Sequence, residues 1–163
     1  MAIIALPLVF GCGPSKAELV EKARQDSIRI ADSIKQVEER AAAEAEAKRV
    51  NDSIARDSAV IAFITDMYNT RKFEDNKFLE RHFCEKLMRK FQEDFDYDGY
   101  EGLASWDFRS VAQDGPNNVH KVTAVIPEGD GWYKYEFIDM GWKDSHRLLI
   151  SGNPDLFIME ELK

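Results

Sequence analysis

The chain has 163 residues, with 22 Lys and Arg against 30 Asp and Glu and a formal net charge of −8. That length holds one ordinary domain and an appendage. The acidic balance repels phosphate backbones and argues against nucleic acid as a partner. Between Ser15 and Val60 there are 9 basic and 10 acidic residues, so almost all the excess negative charge falls in the C-terminal domain.

Met1 to Phe10 is almost wholly apolar. An apolar run of roughly ten residues is too short for a bilayer, which takes about 20, and has the length of a signal-peptide core. No Lys or Arg precedes it, and a buried N-terminal strand is the alternative. Val9-Phe10-Gly11-Cys12 closes the run and resembles the lipobox of bacterial lipoprotein signals. The resemblance implies that residues 1–11 are removed and that Cys12 carries a diacylglyceryl group tethering the chain to a membrane. Gly13 in place of Asp after the cysteine points, by analogy with sorting rules, to the outer membrane of a Gram-negative cell envelope. Cys84 is then a lone thiol among Phe83 and Leu87, read as a small buried hydrophobe, with a Cys12–Cys84 disulfide as the alternative.

After Gly13-Pro14, Ser15 and Glu18 spell a capping box. From there to about Arg56 there is no Gly, Pro or aromatic residue, which is the composition of a long solvated helix. Val20, Ala23, Ser27, Ile30, Ile34, Val37 and Ala41 follow heptad spacing, lose phase at Glu44, and resume from Ala47 through Val50 and Ile54 to Ile64. So thin a seam gives weak self-association at best. Residues 12–57 read as a stalk or spacer, about 60 Å long for some 40 helical residues. Asp26-Ser27-Ile28, Asp32-Ser33-Ile34, Asp52-Ser53-Ile54 and Asp57-Ser58-Ala59 repeat one triplet. It resembles the acceptor motif of a general O-glycosylation system of Gram-negative gut bacteria, which implies sugars on Ser27, Ser33, Ser53 and Ser58. A degenerate helical repeat is the alternative, and the N-glycan sequon Asn51-Asp52-Ser53 means little beside it.

Residues 58–163 read as an α+β domain. Ile61, Ile64, Tyr68, Phe63 and Met67 make a core-facing helix end. Asn69 to Asp75 is a turn, and Phe78, Leu79, Phe83, Leu87, Met88 and Phe91 mark one further helical stretch. The period then switches to two. Strands are expected at Ala104–Val111, from His120 to Ile126, at Trp132–Met140, Lys143–Ser151 and Leu156–Glu161, separated by Gly, Pro and Asp turns. Helices followed by a meander predict helices packed on one face of an antiparallel sheet.

Trp106-Asp107-Phe108-Arg109, Ala112-Gln113-Asp114-Gly115-Pro116, Pro127-Glu128-Gly129-Asp130-Gly131-Trp132-Tyr133 and Phe137-Ile138-Asp139-Met140-Gly141 resemble an uncharacterised domain of exported gut-bacterial lipoproteins. That domain is similar to the nuclear transport factor 2-like superfamily. The resemblance covers roughly residues 60 to 162 and implies a cone-like domain, a curved antiparallel sheet wrapped by helices; it implies no activity.

Chemical motifs are few. Asp94, Asp96 and Asp98 before Gly99 open like a calcium loop, but Ser105 stands where the closing Glu belongs and Glu101 where an apolar residue belongs. His82, His120 and His146 share no metal spacing and read as structural, and no nucleophile elbow, phosphate loop or dinucleotide fingerprint occurs. No cofactor is implied. Enzymes on the cone-shaped fold place an Asp or His base beside Tyr donors, which singles out Tyr133, Tyr135, Asp139 and His146. Two readings follow. One is a lipid-anchored envelope protein whose domain binds a small ligand or another envelope protein, with Trp132 and Trp142 as contact residues. The other is a pocket enzyme of the isomerase or dehydratase type. An Asp139 or His146 meeting a Tyr hydroxyl in a deep pocket distinguishes the enzyme; a filled core with exposed tryptophans distinguishes the binding module.

Overall fold

The computed structural model describes residues 15–95, 102–110 and 115–163. The chain divides into two compact units, Met1–Val50 and Asn51–Lys163. The signal segment and Cys12 lie outside the described residues, as do Asp96, Asp98 and the turn residues Gln113 and Asp114.

The first unit is the leading part of helix α1, which runs over Lys16–Asn69. Its start is the capping box. The Ser15 N–H donates to Glu18 Oε2 at 2.7 Å, and the Glu18 N–H donates to Ser15 Oγ at 3.3 Å. These bonds to Ser15 hold the Glu18 carboxyl below its ordinary pKa. With no Gly or Pro to interrupt the ladder, the helix continues through a segment in which residues 15–50 are all exposed. Val20, Ile30, Ile34 and Val37 of the heptad seam are open along the single chain. Among the described residues, no helix is long and apolar enough to cross a membrane.

In the second unit, α1 buries Val60, Ile64, Met67 and Tyr68 along one face before ending at Asn69. Arg71 then turns the chain in the left-handed conformation, φ 57° and ψ 31°, into a 3-10 turn at Lys72–Glu74. The expected single helix that follows is two, α2 (Asn76–His82) and α3 (Glu85–Phe95). The break has a physical cause that carries no Gly or Pro signature. Phe83 is extended and bridges Met159 in parallel, and the Cys84 N–H donates to Met159 O at 3.0 Å. The Cys84 sulfur then accepts the Leu87 N–H at 3.4 Å, capping α3. Cys84 is a half-buried free thiol, close to its sequence reading. His82 is half-buried. Its ring packs on Phe78 and Phe63, and its Nδ1 lies 2.7 Å from Phe157 O.

The first expected strand, from Ala104, is instead a 3-10 turn at Ser105–Phe108. Period-two alternation needs Ala104, Trp106 and Phe108 on one face. In the turn Ala104 and Phe108 are fully buried while Trp106 is 49% exposed. Among the described residues the sheet has four strands, β1 (His120–Gly129), β2 (Trp132–Asp139), β3 (Trp142–Asn153) and β4 (Leu156–Leu162), in the order β1-β2-β3-β4 and antiparallel throughout. The fold is α+β, with helices packed on this sheet. Asp130 (φ 48°) and Gly131 (φ 81°) form the two-residue turn from β1 to β2, and Met140 (φ 51°) and Gly141 (φ 89°) the next. Two consecutive positive φ angles are the turn that follows the strand twist. The core lies between sheet and helices. Tyr68 packs on Tyr135 and Phe137, Phe63 on Phe157, and Phe108 on Phe73, Phe83 and Phe91.

Candidate functional site

Strict alternation along β2 turns Tyr133, Tyr135, Phe137 and Asp139 inward. The first three fill the core, and Asp139 is the fully buried polar end of the column. Such a carboxylate must find donors, because burying it unpaired is far too costly. It finds them in two segments. Arg109, ending the 3-10 turn, donates Nε and Nη2 at 3.2 and 3.4 Å, and Ser110 donates its backbone N–H and its hydroxyl, both at 3.1 Å. His120 Nδ1, on β1, lies 2.6 Å from Asp139 Oδ1. A carboxylate only accepts, so this nitrogen carries the proton. Burial alone would push the Asp139 carboxyl pKa up. The Arg109 guanidinium and the Ser110 donors outweigh it and hold the carboxyl below its ordinary value of 3.8.

His146, opposite Tyr135 on β3, stacks on Phe137 at 5.2 Å and places Nε2 3.2 Å from Arg109 O. Asp139 and His146 thus converge on Arg109, one on its side chain and the other on its backbone. Among the described residues, neither meets a tyrosine hydroxyl. The Tyr133 hydroxyl donates to Asp57 Oδ1 at 2.6 Å and accepts from Arg56 at 3.0 Å, while Arg56 also reaches Ile150 O at 2.8 Å. Burial, joined by the bond to Asp57, pushes the Tyr133 pKa up to about 12. Burial also raises the Tyr135 pKa well above its ordinary value. Among the described residues, the buried hydroxyls of Tyr68 and Tyr135 have no hydrogen-bond partner. Tyr135→Phe is therefore expected to stabilise the unit by about 1 kcal/mol, because it removes an unmet donor and no bond. A higher urea midpoint at unchanged slope is the confirming result; a lower midpoint would mean that the hydroxyl has a partner in solution.

Above Asp139 opens a cleft of about 470 Å³ lined by Arg71, Arg109, Asn118, His120 and Met140. His120 reads as structural in the sequence and stands on the cleft wall in the fold. Its place on the site follows from its register opposite Asp139, set by two irregularities in β1, between Val122 and Ala124 and between Pro127 and Gly129.

The other expected sites fare variously. Ser27, Ser33, Ser53 and Ser58 are exposed, and the hydroxyls of Ser27, Ser33 and Ser58 donate to the carbonyls four residues back. Asp94 is paired with Lys90, and among the described residues no three His, Cys, Asp or Glu side chains gather to hold a metal. Trp142 is 52% exposed. Trp132 is half-buried, with Arg147 5.0 Å and Lys163 4.6 Å from its ring. No protein-family model, no curated protein and no solved structure matches this chain.

Proposed function

We propose that the protein is a lipid-anchored component of the bacterial cell envelope, in which a helical spacer carries an α+β domain that binds a small ligand or another envelope protein without catalysis. The observation that carries the non-catalytic reading is the use made of the candidate acid–base groups. Tyr133, Tyr135 and Asp139 are at most 1% exposed; Tyr133 and Asp139 are engaged in internal bonds, and Tyr135 is packed in the core. The exposure of every residue from 15 to 50 suits a spacer, since no face of that segment is committed to a core of its own. A diacylglyceryl group on Cys12 would supply two chains, which stable anchoring requires where one gives only marginal binding. Weak self-association through the Val20–Val37 stripe is compatible with this arrangement, whereas sugars on Ser27 and Ser33 would oppose it.

One observation favours the isomerase or dehydratase reading. Asp139 holds His120 through Nδ1, which leaves Nε2 of a residue on the cleft wall to act as a base. Turnover of an added substrate at that cleft would decide for it.

Intact mass of the protein from its native envelope tests the tether. The expected mass is that of the chain from Cys12 onward plus acyl groups, with hexose-type increments if the stalk serines are modified. An unmodified mass retaining Met1 would sink the anchor.

A further inference from the structure

Building on the binding-module reading, we infer that the cleft lined by Arg71, Arg109, Asn118, His120 and Met140 is a site for a small organic oxyanion, a molecule bearing a carboxylate or phosphate group. Its size suits one, since pockets for small ligands span roughly 300–1,000 Å³. Its lining is cationic in composition, although each arginine is also bonded to a carboxylate, Arg71 to Glu74 and Arg109 to Asp139. In a chain of net charge −8, its described lining holds two arginines and a histidine and no carboxylate. Another cleft, of about 440 Å³, mixes Lys143 with Glu136 and Asp144 and has no such bias.

Both guanidinium groups are held in place with donors to spare. Arg109 uses Nε and Nη2 on Asp139, and Arg71 uses Nε and Nη2 on Glu74, at 3.0 and 2.5 Å. Among the described residues, neither Nη1 has a hydrogen-bond partner. A fork already fixed by a carboxylate loses little freedom on taking a second acceptor, which is the basis of pre-organised oxyanion recognition. Asp139 is fully buried, so its oxygens hold Arg109 and His120 without touching a ligand in the cleft, while its charge offsets part of the guanidinium's.

The walls are strained as well as charged. Three residues other than glycine have positive φ among the described residues, and two of them, Arg71 and Met140, line this cleft. At Met140 that conformation belongs to the turn between β2 and β3; at Arg71 it is a cost outside any hairpin, of the kind that collects at ligand sites. The opposite wall is brought close by Gly115, where a Cβ would stand 2.0 Å from Met140 O, and by the Asn117 N–H, which donates to the same oxygen at 3.4 Å. That contact sets Asn118 at the rim.

The test is a titration of the full isotope-labelled chain, followed by amide chemical shifts. Sodium benzoate and inorganic phosphate are added separately at constant ionic strength, with chloride as the control. Saturable shifts are expected at Arg71, Asn118, His120 and Met140, with a dissociation constant on the order of 1 mM for so small a probe. Saturation by benzoate alone identifies a carboxylate ligand, and by phosphate alone a phosphate ligand. Arg71→Gln should weaken binding roughly tenfold, since it removes one charged donor while leaving the Arg109–Asp139 bonds intact. Shifts that rise linearly with both salts, or equal binding by a folded Arg71→Gln chain, would overturn the site. Such a failure leaves the intact-mass result standing, and a chain found without lipid leaves this titration standing.

Discussion

Replacing Asp139 with alanine is expected to destabilise the second unit by about 3–5 kcal/mol, the usual cost of breaking a buried ion pair from one side. The reason is the set of donors left behind. The Arg109 guanidinium, the Ser110 N–H and hydroxyl and the His120 Nδ1–H all lose their acceptor. Asp139→Asn should cost roughly half as much. The amide keeps one oxygen for Arg109 Nε and Ser110, and His120 can move its proton to Nε2 and accept the new N–H. The charge on Arg109 nevertheless goes unanswered. Because the folded-state pKa of Asp139 lies below its ordinary 3.8, its contribution is fully present above that value and is lost as pH falls through the folded pKa. Urea midpoints from pH 6 down to pH 2 should therefore fall more steeply in the wild type than in Asp139→Asn. Parallel curves would show that the carboxylate is not charged and paired in the fold.

The carboxylate was legible in the sequence, but its partner was not. Tyr133, Tyr135, Phe137 and Asp139 announce an inward column by simple alternation. An unbulged hairpin closing at Gly129 and Trp132 would set Asp139 opposite Val122. Each irregularity in β1 adds one residue to that strand, and the two together bring His120 opposite Asp139. Bulges are tertiary accommodations with no residue signature here, so the pairing was out of reach. The division between α2 and α3 was hidden for a similar reason: Phe83 is buried both in a continuous helix and in the observed bridge, so its hydrophobicity does not separate them. The capping box and the Asp130-Gly131 turn were readable because they are set by residues adjacent in sequence. Arg71 reached the cleft through a left-handed turn that a preference for Gly or Asn would not have placed at an arginine.

Phe108→Ala is expected to cost about 3–5 kcal/mol, a large part of the roughly 5–15 kcal/mol that holds an ordinary domain together. The ring is fully buried, with centroids 5.8, 6.1 and 5.5 Å from Phe73, Phe83 and Phe91, residues that belong to three separate segments. No single neighbour can collapse into the space it leaves, so most of the cavity should persist. The residue also carries the site. Arg109 and Ser110 follow it directly, and the segment is otherwise tied down by the Ala104 N–H to Phe91 O at 2.9 Å and by the bonds to Asp139 and His146. Two outcomes separate the roles of the ring. A fall in urea midpoint at unchanged slope means that Phe108 is part of one cooperative core. A smaller slope, with amide exchange accelerated only around Arg109 and Ser110, means that the turn detaches while the sheet stays folded. The first is expected, because rings from three segments meet at Phe108 and releasing it uncovers all of them. By the same logic, Phe91→Ala and Phe108→Ala combined should cost less than the sum of the two, since both truncations open the same cavity.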